Sequence, residues 1–346
     1  MKYRNVYLDS IGYELAPNVV TSDDIESRLA PVYEALHLKP GQLEQITGIQ
    51  ESRYWDEEFR LSEGGVRAGR KALETSGVPA SEIGMLIYGA VCRENLEPAT
   101  ACAVADGLGL SPEAQVYDVS NACLGMLNGM VQIANAIELG QIRAGIVVAC
   151  ESCRQIVEST IERLIETRSM EVFKTTVATL TGGSGAAAAV LTDGSFGSAG
   201  HRLLGGIVRN SVRHHRLCTW GPDTGIPATL PHVMNTDSVG VLKNGVALGV
   251  DTFKAFRKEL EWGPDAPDKI ICHQVGAAHQ KTILDGIGIP VSKDFSTFRY
   301  LGNIGTVSLF ITAAIAHERS FLESGDRVGF LGIGSGLNCL MMGLRW

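Results

Sequence analysis

Residues Val116 to Cys123 form a strand-like run that feeds straight into a helix-like stretch beginning at Leu124. That spacing predicts Cys123 on a sharp strand-to-helix turn. A helix N-terminus carries about half a positive charge on unpaired N–H groups, which lowers a thiol pKa from about 8.5 toward neutrality. Cys123 is therefore expected to stand as a thiolate nucleophile. Two further side chains suit the same chemistry. His273 ends the strand-like Ile270–Cys272, and Asn303 lies 180 residues beyond Cys123 in the turn Leu301–Gly305. Taken singly, each has an ordinary structural reading: a buried small hydrophobe, a strand-end histidine and a turn residue. Their placement at matching points of a repeated pattern is what makes them candidates for one active site.

Other chemistry-bearing strings are weaker. Cys150 and Cys153 have the spacing of a redox pair or half a zinc site, but no second Cys pair or spaced His pair accompanies them. His214, His215 and His279 form no metal-ligand pattern, so no metal and no bound cofactor is expected. Gly332–Gly336 follows a strand, yet only ten residues remain after it, too few for a dinucleotide-binding βαβ unit. It reads instead as a strand-to-strand turn whose bare N–H groups, with that of Ser335, approach a substrate as an oxyanion hole requires. Gly182–Gly185 is a second candidate for such an approach.

The elements that must position these residues alternate between buried strands and amphipathic helices, the pattern of an α/β protein. Met85–Tyr88, Gln115–Tyr117, Ile146–Ala149, Ala186–Leu191, Ile270–Cys272 and Val328–Leu331 are the clearest strands. Leu124–Leu139 is a helix stopped by Gly140, and Thr21 with Asp24 marks a capped helix start. The chain also repeats itself. Arg70–Leu73 recurs at Arg257–Leu260, Ile87–Val91 at Ile271–Val275, and Asp106–Leu110 at Asp285–Ile289, with an offset between 179 and 187 residues. Two similar halves, 1–197 and 198–346, are expected to pack about a pseudo-twofold axis, with a helical insertion at about 154–180. Arg154–Met170 is amphipathic and reads as a surface helix or as one wall of an apolar channel. Leu217–Val250 has the mixed Pro, Gly, Met and Trp character of a loop lining such a channel.

Composition excludes several classes. With 346 residues, about two domains' worth at roughly 150 each, and 45% hydrophobic against 20% charged residues, the chain is too apolar to be disordered. Its net charge of −8 without any basic run lacks the footprint of a nucleic-acid binder. No signal peptide is visible and no apolar run is long enough for a transmembrane segment. Eight cysteines are far fewer than a disulfide scaffold carries, so a cytoplasmic, thiol-reduced protein is expected.

At this point several elements together carry a resemblance. Thr47-Gly48-Ile49 with Arg53, Asn121–Gly125, His273-Gln274, Gly302-Asn303 and Gly334–Gly336 resemble, in order, five elements of the ketoacyl synthase III branch of the thiolase superfamily. The resemblance covers essentially the whole chain. It implies a duplicated fold layered α-β-α-β-α, a homodimer, and catalysis by Cys123, His273 and Asn303. Synthases that extend with malonyl carrier protein show H-Q-A-N and G-N-T-S, with Gly at the middle of the last turn, whereas here stand His273–Gly276, Gly302–Gly305 and Ser335. These strings, with His214–Gly221 and Glu97–Thr100, resemble instead the OleA family, which joins two fatty acyl-CoA thioesters head to head without decarboxylation.

That resemblance implies a role for Glu97. Loss of CO2 would generate an enolate by itself, but a plain acyl thioester must lose an α-proton to a base, and a carboxylate suits that task. Glu97, reaching the site of a neighbouring subunit, would be the base. Its other reading is an exposed loop carboxylate ahead of a helix begun by Pro98. The implied activity is non-decarboxylative Claisen condensation of two fatty acyl-CoA molecules through acyl-Cys123, giving a 2-alkyl-3-oxoacyl product. The alternative is a decarboxylative 3-oxoacyl synthase III, with acyl carrier protein as partner.

Overall fold

Strands whose residues are apolar on both faces need cover on both sides, and the sheet of this protein supplies it. The computed structural model describes residues 1–197, 200–221 and 233–346. In chain order the first part contains β1 (Tyr7–Leu15), β2 (Asn18–Thr21), α1 (Ser22–Arg28), α2 (Ala30–Leu36), α3 (Gln42–Thr47) and β3 (Glu51–Tyr54). It continues through α4 (Leu61–Ser76), β4 (Ile83–Tyr88), α5 (Thr100–Leu108), β5 (Gln115–Asp118) and α6 (Gly125–Glu138). Next come β6 (Ala144–Glu151), α7 (Arg154–Thr167), α8 (Met170–Thr176) and β7 (Gly185–Thr192). The remainder holds β8 (His201–Asn210), β9 (Cys218–Gly221), β10 (Val233–Thr236), α9 (Ser238–Glu259), β11 (Lys269–Cys272), α10 (Ala277–Ile287), α11 (Phe298–Leu301), α12 (Ser308–Glu318), β12 (Arg327–Gly334) and β13 (Asn338–Arg345).

Among the described residues, nine strands form one mixed sheet in the order β11-β12-β13-β8-β1-β7-β6-β4-β5. Read outward from its middle, the sheet is symmetric. On one side β1 pairs antiparallel with β7, β7 antiparallel with β6, and β6 and β5 flank β4 in parallel. On the other, β8 pairs antiparallel with β13, β13 antiparallel with β12, and β12 parallel with β11. The parallel bridge of Ile270 to Asp294 stands where β5 stands in the first half. The halves meet where β1 and β8 pair, Tyr7 with Arg202 and Leu8 with His201.

The helices repeat in the same way. α4 answers to α9, α5 to α10 and α6 to α12. α5 and α10 both end at a glycine in the left-handed region, Gly109 at φ 68° and Gly288 at φ 69°. α12 buries Leu309, Phe310, Ile311, Ala313 and Ala316 around its whole circumference, as a helix packed on every side must. This is the duplicated thiolase-like arrangement that the resemblance implies.

The six strands expected from apolar runs are all present, and the capping box at Thr21 and Asp24 forms as expected. β1, β8 and β13 were not singled out. β1 alternates buried with half-exposed residues, so Met1–Pro17 shows alternation rather than an apolar run. The expectation of a loop over Leu217–Val250 needs correction. Residues 222–232 lie outside the described residues, but Ser238 opens the 22-residue helix α9. Pro98 does not begin a helix either. α5 starts at Thr100, where the Asp118 carboxylate accepts from the N–H groups of Thr100 and Ala101.

Candidate active site

Cys123 sits on the predicted elbow between β5 and α6. Ala122 is forced to φ 46°, a conformation costly for a residue with a Cβ, which marks the turn as strained. The elbow can lie deep because Gly89 and Gly125 touch backbone to backbone. A Cβ on Gly125 would stand 2.3 Å from the Gly89 carbonyl oxygen. Asn121 is braced from both sides, donating to Asn128 Oδ1 at 2.7 Å and accepting from Asn338 Nδ2 at 3.1 Å.

The expected ionised thiol is not what this elbow provides. Burial pushes the Cys123 thiol above its ordinary value, and Cys218, Glu151 and Cys153 push it the same way. The N–H groups that would stabilise a thiolate are also engaged. Leu124 donates to Asn121 O, Gly125 to Ala122 O, and Met126 to Thr306 Oγ1. Cys123 therefore rests as a neutral thiol, and its proton must leave as it attacks.

The second half brings two side chains to the same place. His273 continues β11, donating its backbone N–H to Leu331 O of β12. Gln274 fixes that strand end, for its Oε1 accepts from Thr297 and Phe298 N–H and its Nε2 donates to Cys272 O. Burial and, secondarily, His279 hold the His273 pKa at about 4, so the ring is neutral at pH 7. Asn303 follows Gly302, where a Cβ would lie 2.4 Å from Ser52 Oγ and from Thr181 O. The Asn303 Oδ1 accepts from Gly305 N–H at 3.1 Å, which turns its amide nitrogen away as a donor.

Cys123, His273, Asn303 and Ser335 line one cavity of about 1280 Å³, counting its open mouth. Ser335 tops the β12–β13 turn beside Gly334, where a Cβ would stand 3.3 Å from the Cys123 nitrogen. The Gly-rich string is thus a strand-to-strand turn against the nucleophile, as read from sequence. From there the cavity runs between the second-half sheet and the helices α9 and α10, walled by Val246, Ile283, Leu331, Cys339 and Met341. Gly182–Gly185 behaves differently from its expectation. A Cβ on Gly183 would meet Leu301 O at 2.2 Å, so the segment seats the Asn303 turn instead of a substrate.

Glu97 is not in this cavity. It lies on the exposed loop between β4 and α5, next to Leu96, which is 99% exposed. The same loop is anchored at its root by Glu151, a residue that sequence reasoning passed over. Glu151 is 1% exposed at the end of β6, and its carboxylate accepts from Val91 and Cys92 N–H at 3.0 and 3.1 Å. Desolvation raises its pKa against these bonds. The available signal was a lone carboxylate closing an otherwise apolar buried strand, at the end of the sheet where sites form. All eight cysteines are free, Cys150 and Cys153 included, and no group of metal-ligating side chains occurs among the described residues.

Two family models match, the N-terminal domain of thiolase over residues 46–195 and the C-terminal domain of 3-oxoacyl-[acyl-carrier-protein] synthase III over residues 258–346. The chain is 48% identical to an acyl-CoA:acyl-CoA alkyltransferase of Shewanella oneidensis and 35% identical to one of Xanthomonas campestris, covering 100% of each chain in both cases. It is 25% identical to a β-ketoacyl-[acyl-carrier-protein] synthase III of Natranaerobius thermophilus over 99% of both chains. A Cys-to-Ser variant of Xanthomonas campestris OleA, solved with bound lauric acid and lauroyl-CoA, matches at TM-score 0.93 and 34% identity over 99% of this chain and 100% of that one. Variants of the same OleA at a glutamate and a histidine match equally over the whole of this chain, with TM-scores of 0.94 and 0.93. The chain therefore belongs to the thiolase superfamily, in the family of the acyl-CoA:acyl-CoA alkyltransferases.

Proposed function

We propose that the protein joins two fatty acyl-CoA molecules by non-decarboxylative Claisen condensation, acting as a cytoplasmic homodimer. The observation that carries this reading is the meeting of Cys123, His273 and Asn303 on one apolar cavity. Cys123 sulfur attacks the first thioester carbonyl, the N–H groups of Cys123 and Ser335 face the developing oxyanion, and the CoA thiol departs carrying the proton that Cys123 gives up. The second acyl-CoA then places its thioester oxygen against His273 and Asn303. Donors there stabilise the enolate, and each is worth roughly 100- to 1000-fold in rate. Glu97 of a second copy takes the α-proton, the carbanion attacks acyl-Cys123, and a carbon–carbon bond replaces the C–S bond. The cysteine sulfur leaves with the pair of electrons and regains a proton. The product is a 2-alkyl-3-oxoacyl compound.

The exposed Leu96–Glu97 tip supports a base delivered between chains. Incubation with labelled long-chain acyl-CoA should leave label on the wild-type protein and none on Cys123→Ala, and product mass spectrometry should find masses of two joined chains. Carboxyl-labelled malonyl-CoA should release no CO2; its release would favour the decarboxylative synthase instead. Mixing inactive Cys123→Ala and Glu97→Gln chains should restore about a quarter of the activity, because half of the dimers are mixed and one of their two sites is whole. No recovery would remove Glu97 from its role in trans.

A further inference from the structure

A neutral imidazole has one N–H and one bare nitrogen, so whichever nitrogen faces the cavity decides whether His273 donates to an oxygen or accepts a proton. The answer lies behind the ring. His273 Nδ1 is 2.7 Å from Ser308 Oγ. Ser308 is wholly buried at the start of α12, followed by the apolar Leu309, Phe310 and Ile311. Its Oγ already accepts from Gln274 N–H at 3.4 Å. The hydroxyl hydrogen then has one acceptor in hydrogen-bonding geometry among the described residues, His273 Nδ1. The opposite arrangement, Nδ1–H donating to Ser308, would strand a buried hydroxyl hydrogen, a loss of about 1–3 kcal/mol in general.

We infer that Ser308 is a positioning residue that donates to His273 Nδ1 and thereby fixes the ring as its Nε2–H tautomer, presenting a donor to the cavity. The consequence for catalysis rests on the condensation reading above. Nε2–H faces the thioester oxygen of the second acyl group, and His273 is a hydrogen-bond donor there, not the base for Cys123. One turn then sets both donors. Gly305 N–H orients the Asn303 amide, and Ser308 three residues on orients the imidazole. The Ser308 backbone is itself held, since its carbonyl accepts from Thr312 Oγ1 at 2.6 Å.

The direct test is nitrogen NMR on the full-length protein labelled at histidine nitrogen, with the His273 signals identified by their loss in His273→Asn. The wild-type ring should show a protonated Nε2 and a bare, hydrogen-bonded Nδ1 near pH 7. A proton on Nδ1 would overturn the inference without any variant having to fold. In Ser308→Ala the ring should become a mixture of tautomers, with kcat lowered about tenfold or more and KM within about twofold, as expected where an interaction made in the transition state is lost. An unchanged tautomer and unchanged kcat in that variant would also overturn it. If the wild-type tautomer is as inferred but no joined product forms from acyl-CoA, the condensation reading fails and the positioning by Ser308 stands.

Discussion

Cys123 and His273 share an apolar cavity, and the low local polarity disfavours the charged form of each, raising one pKa and lowering the other. Neither is charged at rest, so proton movement accompanies acyl transfer instead of preceding it. This predicts that inactivation by iodoacetamide, read as alkylation of the Cys123 peptide, accelerates about tenfold per pH unit up to at least pH 9, following the thiolate fraction. A plateau near pH 7 would instead mean a thiolate held by the helix. The identity of the thiol was legible because residue type and turn coincide, but its charge was not. Whether the first N–H groups of α6 are free depends on Asn121 and on Thr306, which sits 183 residues beyond Cys123 in the chain. His273 and Asn303 were legible for a different reason, the repeat that puts them at matching strand ends. Ser308 and Glu151 gave little signal, since a serine in a helix and a carboxylate after a strand are commonplace until their partners are known.

At the scale of elements, α9 shows how function can hide structure. Gly240, Gly245 and Gly249 interrupt its apolar pattern, and each glycine inside a helix costs about 0.5–1 kcal/mol against alanine. A helix built to leave room does not look like one built to fill it. Gly245 and Gly249 both face the cavity, and a Cβ on Gly249 would approach the flexible end of Ile283 at 2.8 Å. Gly249→Leu should therefore narrow this arm, moving the products formed from a mixture of acyl-CoAs toward shorter chains, as measured by mass spectrometry. An unchanged distribution would show that the arm does not hold an acyl chain. The same reasoning separates four legible strands from β1 and β8, though β13, buried along nearly its whole length, was passed over as well. β4, β6, β7 and β12 are buried along nearly their whole lengths and appear as apolar runs, whereas β1 carries polar residues on its half-exposed face and β8 ends in Val208, Arg209 and Asn210, which are exposed.

Across the whole molecule, the duplication was the most legible feature, because the two halves keep the same punctuation even where their side chains have diverged. The seam between them was invisible in sequence, for it joins strands far apart in the chain. There His201 of β8, opposite Leu8 of β1, stacks on the C-terminal Trp346 with ring centres 3.6 Å apart and planes 11° from parallel. Trp346 Nε1 in turn donates to His317 Nδ1 at 3.1 Å. Burial, with His317 nearby, lowers the His201 pKa from its ordinary 6.5 to about 4. The unfolded chain thus takes up a proton before the folded one does. The stability that the neutral ring contributes is complete above about pH 6.5 and is lost as the pH falls from there toward 4. His201→Phe keeps a ring to stack on Trp346 and removes the titrating group. Its Tm should match the wild type at pH 7.5 and exceed it at pH 5. The variant will still lose stability on acidification, because His273 titrates in the same window. Equal Tm values for the two proteins at pH 5 would mean that His201 takes up its proton as readily in the folded seam as in the unfolded chain, and that its burial contributes nothing to acid sensitivity.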